Sequence, residues 1–572
     1  MTKDEILGKI DFALSQKGFQ LDKDQFRRWE WNGSLEVAGS SLPVSLIIRD
    51  LNLVALPTVL IQDLDALPAR NHPHIDPTTG FLCYADSRSI VLDRYLPGQM
   101  VLRCLEIAEE ALNDIVSGKL DSDFPDEFSA YWDGEAVLVD LPEGFSGEAM
   151  LRLLRLQEGH TSNFFYTDRR RLTPWHRENL SVPDPKGASP PKVEVLVLEE
   201  PILVPLASTW PPETLADVLD WLESSHRGLS KKYLSALFKK RSELRLVAFH
   251  APNGFFVIGV SVPKHYRTPE FLEHRPESLN RILRKQKASI PVTRYFGKRL
   301  DKRFLYQRNL GKMQGLKDKS VLLIGCGTIG SFLSQMLVQA GVGSSDGKKL
   351  TLVDHDILKA PNIGRHLLGM PYIDRNKAEA CKEHLQAHHP EANVKAVSAE
   401  IFQAMHLFYR HDIVIDATGE EALSCAINEE LIGMGADAPP ILHLWLEGNG
   451  AVGRGLFFEV GEGACYKCLR PDSLKPERFP VMHKKATTEK VETLSCGDET
   501  HIPFPVSRSM QAAGLGLDML LDYVNGNPNP KLRTRPYDAS ASTNRPDKSP
   551  DPAKDCPACQ KTSASGTLLT TD

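Results

Sequence analysis

Gly325, Gly327 and Gly330 stand at GxGxxG spacing in Val321-Leu-Leu-Ile-Gly-Cys-Gly-Thr-Ile-Gly330, between four apolar residues and a run of helical period that reaches Ala340. Glycines at these places permit a tight turn and let the backbone approach a phosphate, whose charge rests at a helix N-terminus. Taken alone, the motif fits a nicotinamide or flavin cofactor. Asp354 closes the next strand-like run, 349–354, at the place of a carboxylate that accepts both ribose hydroxyls of an adenine nucleotide. Two more sets of residues could do chemistry. Cys465-Tyr-Lys-Cys468 and Cys556-Pro-Ala-Cys559 are paired CxxC knuckles, each offering two thiolates at the bite of tetrahedral Zn²⁺. Four sulfurs close such a site, so the zinc would be structural. Cys83 ends a loop rich in turn formers, residues 71–84, where a nucleophile is better placed than a buried filler.

The elements that must position these residues fall into three stretches. A chain of 572 residues exceeds one core, so two to four domains are expected. Residues 1–145 read as an α+β domain, with a helix over 1–17, strands over 29–37 and 42–49, and a helix over 98–116 that carries Cys104 on its apolar face. Residues 146–305 read as a mixed α/β bridging domain. They include a linker-like stretch at 181–191, a strand at 192–198, and a hairpin turned at Asn253-Gly254. The basic runs 169–171 and 282–303 read as solvated faces, with phosphate binding as the less favoured reading, and no chemistry is assigned to this domain. Residues 306–572 read as a third, α/β domain, making the whole an α/β multidomain protein. The net charge of −6 gives no electrostatic case for nucleic acid. No apolar run approaches the ~18 residues of a membrane span, and the charged N-terminus lacks a signal peptide's apolar core. A cytoplasmic protein with reduced cysteines is expected.

After Asp354 come Asp356, Asn362, Arg365, Lys377 at the start of a helix, and a strand-like run that reaches Asp416. With the glycine loop, this ordered set resembles the adenylation domain of the ThiF/MoeB and ubiquitin-activating superfamily. The resemblance implies a Rossmann-like domain that uses ATP. Asp354 would hold the ribose, with Asp356 completing the Asp-x-Asp pair. Asn362, Arg365 and Lys377 would contact the triphosphate, and Asp416 would hold Mg²⁺. The chemistry suits these types: a carboxylate attacking the α-phosphate brings like charges together, and cations must spread the developing charge. The resemblance further implies the paired-knuckle zinc knot and a homodimer through this domain, with Arg303 or Arg308 reaching the partner's ATP. It also implies an acyl-carrying Cys496, placed before Pro503, Pro505 and a helix over 507–523. His501, Lys484 or Lys485 could help ionise that thiol. Cys326, Cys381 and Cys425 read as core.

At the other end, the order of helix, meander, His72-Pro73, Cys83 and a helix opened by Tyr95-Leu-Pro97 resembles ubiquitin-conjugating enzymes. Those enzymes carry His-Pro-Asn before a catalytic cysteine. His74 stands in place of Asn, and its part at the Cys83 site is left open. The fused arrangement resembles the ancillary conjugating enzymes of bacterial CBASS anti-phage operons. This implies activation of a protein C-terminus ending in Gly or another small residue (there, the cyclic-nucleotide synthase), a thioester on Cys496, transfer to Cys83, and conjugation to a lysine-bearing acceptor. The alternative is a sulfur-carrier-type adenylyltransferase with a non-catalytic N-terminal docking domain.

Overall fold

Among the described residues, apolar patterning builds three sheets, each covered in a different way. The computed structural model describes all residues except 26–27, 87–88, 143, 157–159, 168–171, 173, 181–191, 203–209, 484–501 and 560–572. Cys496, His501, Lys484, Lys485, the basic run 169–171 and the linker-like stretch 181–191 therefore lie outside the described residues. The chain forms two units, Met1–Arg170 with Asn179–Arg299, and Arg171–Glu178 with Leu300–Asp572.

In the first unit, helix Lys3–Ser15 is opened by a capping box between Thr2 and Glu5. It leads into an antiparallel sheet whose strands lie in sequence order: Gln20–Gln25, Arg28–Val37, Ser40–Ile48, Thr58–Ile61 and Phe81–Leu82. Helix Pro97–Val116 has its proline at the first turn, where a missing N–H costs nothing. It buries Val101, Cys104, Leu105, Ala108, Leu112 and Ile115 at three- and four-residue spacing in the core shared with the sheet and the first helix. Each fully buried Leu or Ile on that stripe contributes about 1.5–3 kcal/mol. Cys104 is core, as its place on the stripe predicts.

The same unit also contains a closed seven-stranded barrel. Its order is Leu244–Ala251, Gly254–Ser261, Val292–Arg299, Glu135–Asp140, Thr161–Tyr166, Gly147–Arg155 and Lys192–Val197, which pairs back with the first. The hairpin turned at Asn253-Gly254 is present, with Ala251 paired to Gly254. Leu246, Ala248, Phe255 and Val257 belong to the barrel's own core. Val247, Phe249, Phe256 and Ile258 instead join a second core with helices Leu215–Ser225, Leu229–Lys239 and Pro276–Lys285. With both faces covered, these strands read as unbroken apolar runs, so alternation does not reveal the barrel.

The second unit carries a seven-stranded sheet. In order across it lie Val394–Val397, Leu350–Val353, Val321–Ile324, Ile413–Asp416, Ile441–Glu447, Val452–Phe458 and Leu532–Pro536. The first five are parallel, and the pairings of Val452–Phe458 with its two neighbours are antiparallel. Sequence order reverses between Val321–Ile324 and Ile413–Asp416. In doubly wound sheets the crevice beyond the carboxyl ends of two such strands binds ligand. The glycine loop leaves one of them and Asp416 ends the other. Among the described residues, no helix is long and apolar enough to cross a membrane.

Candidate nucleotide, cysteine and conjugation sites

The loop from Gly325 to Gly330 is built around its own backbone. A Cβ on Gly330 would stand 1.9 Å from the Gly325 carbonyl oxygen, so only glycine fits there. A Cβ on Gly327 would meet no protein atom within 4 Å, so nothing in the protein calls for glycine at 327 and the open space suits a ligand. Helix Thr328–Gln339 starts at Gly327 with no side-chain cap, leaving its first amides available to an anion. His366 steadies the loop from beneath. Its Nδ1 accepts from the Leu368 amide at 3.1 Å, so Nε2 carries the proton and donates to the Cys326 carbonyl at 2.7 Å. Burial holds this imidazole below its ordinary pKa and keeps it neutral.

Asp354 and Asp356 lie beside the loop. Asp354 accepts from the amides of Cys326 at 2.7 Å and Asp356 at 2.8 Å, one on each oxygen, which leaves each oxygen a lone pair for a ribose hydroxyl. Lys377 opens helix Lys377–His388, pairs with the Asp356 carboxylate, and keeps two further N–H donors. Burial raises the Asp356 pKa, but the bonds from Lys377 and the Ile357 amide outweigh it and leave the carboxyl below its usual range. Asn362 accepts from the Lys359 amide at 3.0 Å. Arg365 donates to the Ile502 carbonyl at 3.0 Å and lies 4.9 Å over the Phe504 ring. It therefore joins the nucleotide crevice to the first described residues after 501.

Asp416 is only 1% exposed and accepts four hydrogen bonds. One oxygen takes the Thr418 amide at 3.1 Å and the Thr418 hydroxyl at 2.6 Å. The other takes the Ser424 hydroxyl at 2.5 Å and His443 Nδ1 at 2.8 Å. Burial opposes its charge, yet these bonds, led by that from His443, outweigh burial and hold the carboxyl below the usual range. All four lone-pair positions are used, so as arranged this carboxylate does not fit Mg²⁺. A metal there would require one of the four bonds to open. Sequence reading missed Thr418, Ser424, His443 and His366. A histidine inside the buried run Ile441-Leu-His-Leu-Trp445 was a usable signal, because a buried imidazole needs a partner.

Cys465, Cys468, Cys556 and Cys559 bring their sulfurs within 4.8 Å of one another. The separations of 3.7, 3.8, 3.5 and 3.1 Å run up to, and do not exceed, the ~3.8 Å edge of a tetrahedron with ~2.3 Å metal–sulfur bonds. The Ala553 amide donates to Cys468 Sγ at 3.3 Å, as amides beside bound thiolates do. The donor set fits zinc. Cys326 and Cys381 are buried, as expected, and Cys425 is half-buried.

Cys83 follows strand Phe81–Leu82, and its side chain is exposed. Its amide donates to the His74 carbonyl at 2.8 Å. His74 sits at φ +62°, a left-handed conformation that His and Asn tolerate better than most residues. Its Nδ1 lies 2.6 Å from Glu127 and its Nε2 3.0 Å from Asp123, and its backbone N–H also donates to Glu127. The Glu127 bond, followed by that to Asp123, outweighs burial and raises the imidazole to about 9. Both ring N–H groups are thus spent on carboxylates. The imidazolium clamps the loop to helix Phe124–Tyr131 and has no donor left for Cys83. Burial, then Glu127 and Asp86, pushes the Cys83 thiol up. Sequence reading missed Glu127 and Asp123, about fifty residues downstream, where nothing local marks them.

The clamp has a pH consequence. A folded value above the ordinary 6.5 contributes stability that is fully present below 6.5 and lost as pH rises through about 9. Between pH ~7 and ~10, the melting temperature of the wild type should therefore fall towards that of His74→Asn. A difference that stays constant over this range would trace the clamp to shape and not to charge.

The ThiF family model matches residues 303–560 and the Prokaryotic E2 family B model matches residues 9–139. The ATP-dependent ubiquitin transferase-like protein Cap2 of Pseudomonas aeruginosa is 32% identical over 561 residues, which cover 96% of this chain and 97% of that protein. Cap2 of Vibrio cholerae is 25% identical over 545 residues, covering 88% and 90%. Among solved structures, E. coli MccB with succinimide is similar over 50% of this chain and 81% of its own, at 16% identity and a TM-score of 0.33. With one family model at each end and a relative similar along nearly its full length, the chain belongs to the family of ATP-dependent ubiquitin transferase-like Cap2 proteins.

Proposed function

We propose that this enzyme activates the C-terminal carboxylate of a protein and passes it through two cysteines to an amine. A carboxylate oxygen attacks the α-phosphorus of ATP, the bond to the β-phosphate oxygen breaks, and pyrophosphate leaves. Cys496 Sγ attacks the acyl carbon and AMP departs, leaving a thioester. Cys83 Sγ attacks that thioester and releases the Cys496 thiolate. A lysine nitrogen then attacks, the Cys83 thiolate leaves, and the nitrogen's proton passes to solvent or to a nearby carboxylate. Asp86 and Glu127, which disfavour a thiolate at Cys83, would draw the lysine's ammonium group towards it.

The observation that carries this reading is the crevice at the switch point of the sheet. An uncapped helix start, an open space above Gly327, Asp354 with lone pairs to spare, and the cations Arg365 and Lys377 converge there. In this assignment the loop amides hold phosphates, Asp354 holds ribose, and Asn362, Arg365 and Lys377 take the triphosphate. Magnesium bound with ATP would spread phosphate charge, and zinc on the four thiolates would supply a cross-link. The donor would end in Gly or another small residue, with the cyclic-nucleotide synthase of an anti-phage system as the proposed donor. The acceptor would bear a lysine. We place the enzyme in the cytoplasm as a homodimer through the second unit, with Arg303 or Arg308 reaching the partner's ATP.

Donor-dependent exchange of labelled pyrophosphate into ATP tests the first step. Lys377→Ala should slow exchange by about 10²-fold, the scale for removing one preorganised charge donor. Unchanged exchange in that variant, or binding of a nicotinamide dinucleotide in place of ATP, would overturn the assignment.

A further inference from the structure

Helices Leu229–Lys239 and Pro276–Lys285, which pack against the barrel, bound a cleft of about 720 Å³. Lys231, Leu234, Ser235, Phe238 and Lys239 share one face of the first helix, and Pro276, Glu277, Asn280 and Arg284 share one face of the second. With Arg241, the lining carries four cations (Lys231, Lys239, Arg241 and Arg284) against one acid, Glu277. This is a local excess of positive charge in a chain whose net charge is −6. Lys239 reaches Glu194 only at 3.9 Å and is largely exposed. Among the described residues, Lys231, Arg241 and Arg284 have no ion pair, and Arg284 lies 4.9 Å over the Phe238 ring.

The floor adds a second, independent observation. Asn280 lines the cleft at 5% exposure, and its Oδ1 accepts from Arg245 Nη1 at 2.8 Å. Arg245 is 0% exposed, and its Nη2 has no partner among the described residues. Burial alone pulls this guanidinium down to about 10. A buried charge without a counter-ion is costly, and an anion in the cleft beyond Asn280 would offset that cost.

We propose that this cleft binds a small organic phosphate of nucleotide size, carrying at least two phosphate groups. Its volume falls within the range of small-molecule sites, and guanidinium forks such as Arg241 and Arg284 match phosphate oxygens in pairs. The site is separate from the glycine loop and does not depend on the cysteine relay.

The test measures binding of a fluorescent nucleoside bisphosphate to the full chain by polarisation, comparing wild type, the double variant Arg241→Glu with Arg284→Glu, and Lys377→Ala. Charge reversal at the two exposed arginines should weaken binding by at least ~10-fold, while Lys377→Ala, which acts at the glycine loop, should retain the part of the binding that the cleft supplies. A melting curve checks that the double variant is folded. The single variant Lys231→Glu should weaken binding in the same direction and serves if the double variant fails that check. Binding should fall with added salt, and an oligoglutamate peptide should not displace the probe. Equal binding in wild type and the charge-reversed variants would overturn the proposal. So would loss of binding in Lys377→Ala alone, or displacement by the peptide as effective as by unlabelled bisphosphate.

Discussion

A Cys496→Ala variant given MgATP and the donor protein is expected to form no reductant-sensitive adduct, at least ~100-fold less than wild type by intact mass. It should still exchange pyrophosphate into ATP. Alanine removes the sulfur that attacks the acyl carbon but leaves the crevice with Asp354, Arg365 and Lys377 in place. Cys83→Ala should show the complementary pattern. Its adduct persists on Cys496, and transfer to lysine falls by a similar factor. The two outcomes order the cysteines, because an upstream thiol can be loaded without the downstream one and the reverse cannot hold. An adduct that survives Cys496→Ala and is lost in Cys83→Ala would sink that order. The environment of Cys83 sharpens the expectation. A thiol pushed up by burial, Glu127 and Asp86 ionises poorly on its own, so it should remain unloaded until an activated thioester reaches it.

Loss of the four-sulfur site is expected to unfold the second unit. Structural zinc in such sites supplies an apparent ~10–16 kcal/mol at neutral pH. This matches or exceeds the ~5–15 kcal/mol that holds a typical domain together. Cys468 and Cys556 are both buried, in the core that also holds Ile427, Leu431 and Phe458. Cys468→Ser should therefore remove one zinc per chain by elemental analysis and abolish the second unit's cooperative melting transition. The first unit has its own cores and should melt as in wild type. A variant that lacks metal yet melts normally would show that the four sulfurs pack without needing an ion.

The parts of the molecule that sequence reveals are those in which spacing is itself the mechanism. The glycine loop, the paired knuckles, Lys377 at a helix start and Asp416 at a strand end lie where their intervals require, because each interval is a turn, a bite or a strand length. Cys83 at the end of a loop is legible for the same reason. The barrel is not, because strands such as Leu244–Ala251 are covered on both faces and carry no period-two signal. The partners of His74 and Asp416 are hidden for another reason. Glu127 reaches His74 across some fifty residues and His443 reaches Asp416 from a neighbouring strand. Such pairs exist only once the sheet and the helix after it are assembled. Sequence reading also gave Asp416 to a metal, whereas its four acceptor positions are filled by protein donors.

The knuckles join residues near 468 to residues near 556, and the chain between them is fastened twice more. Strand Leu532–Pro536 pairs with Val452–Phe458, and helix Val506–Val524 packs on Thr328–Gln339. Each of these attachments bypasses residues 484–501. The second unit would thus survive a single peptide-bond cut in that segment as a two-piece protein, its fragments held by sheet pairing, helix packing and sulfur. Covalent continuity there is not what holds the second unit together, so the length and composition of this segment can vary without disturbing that unit's sheet and helix packing.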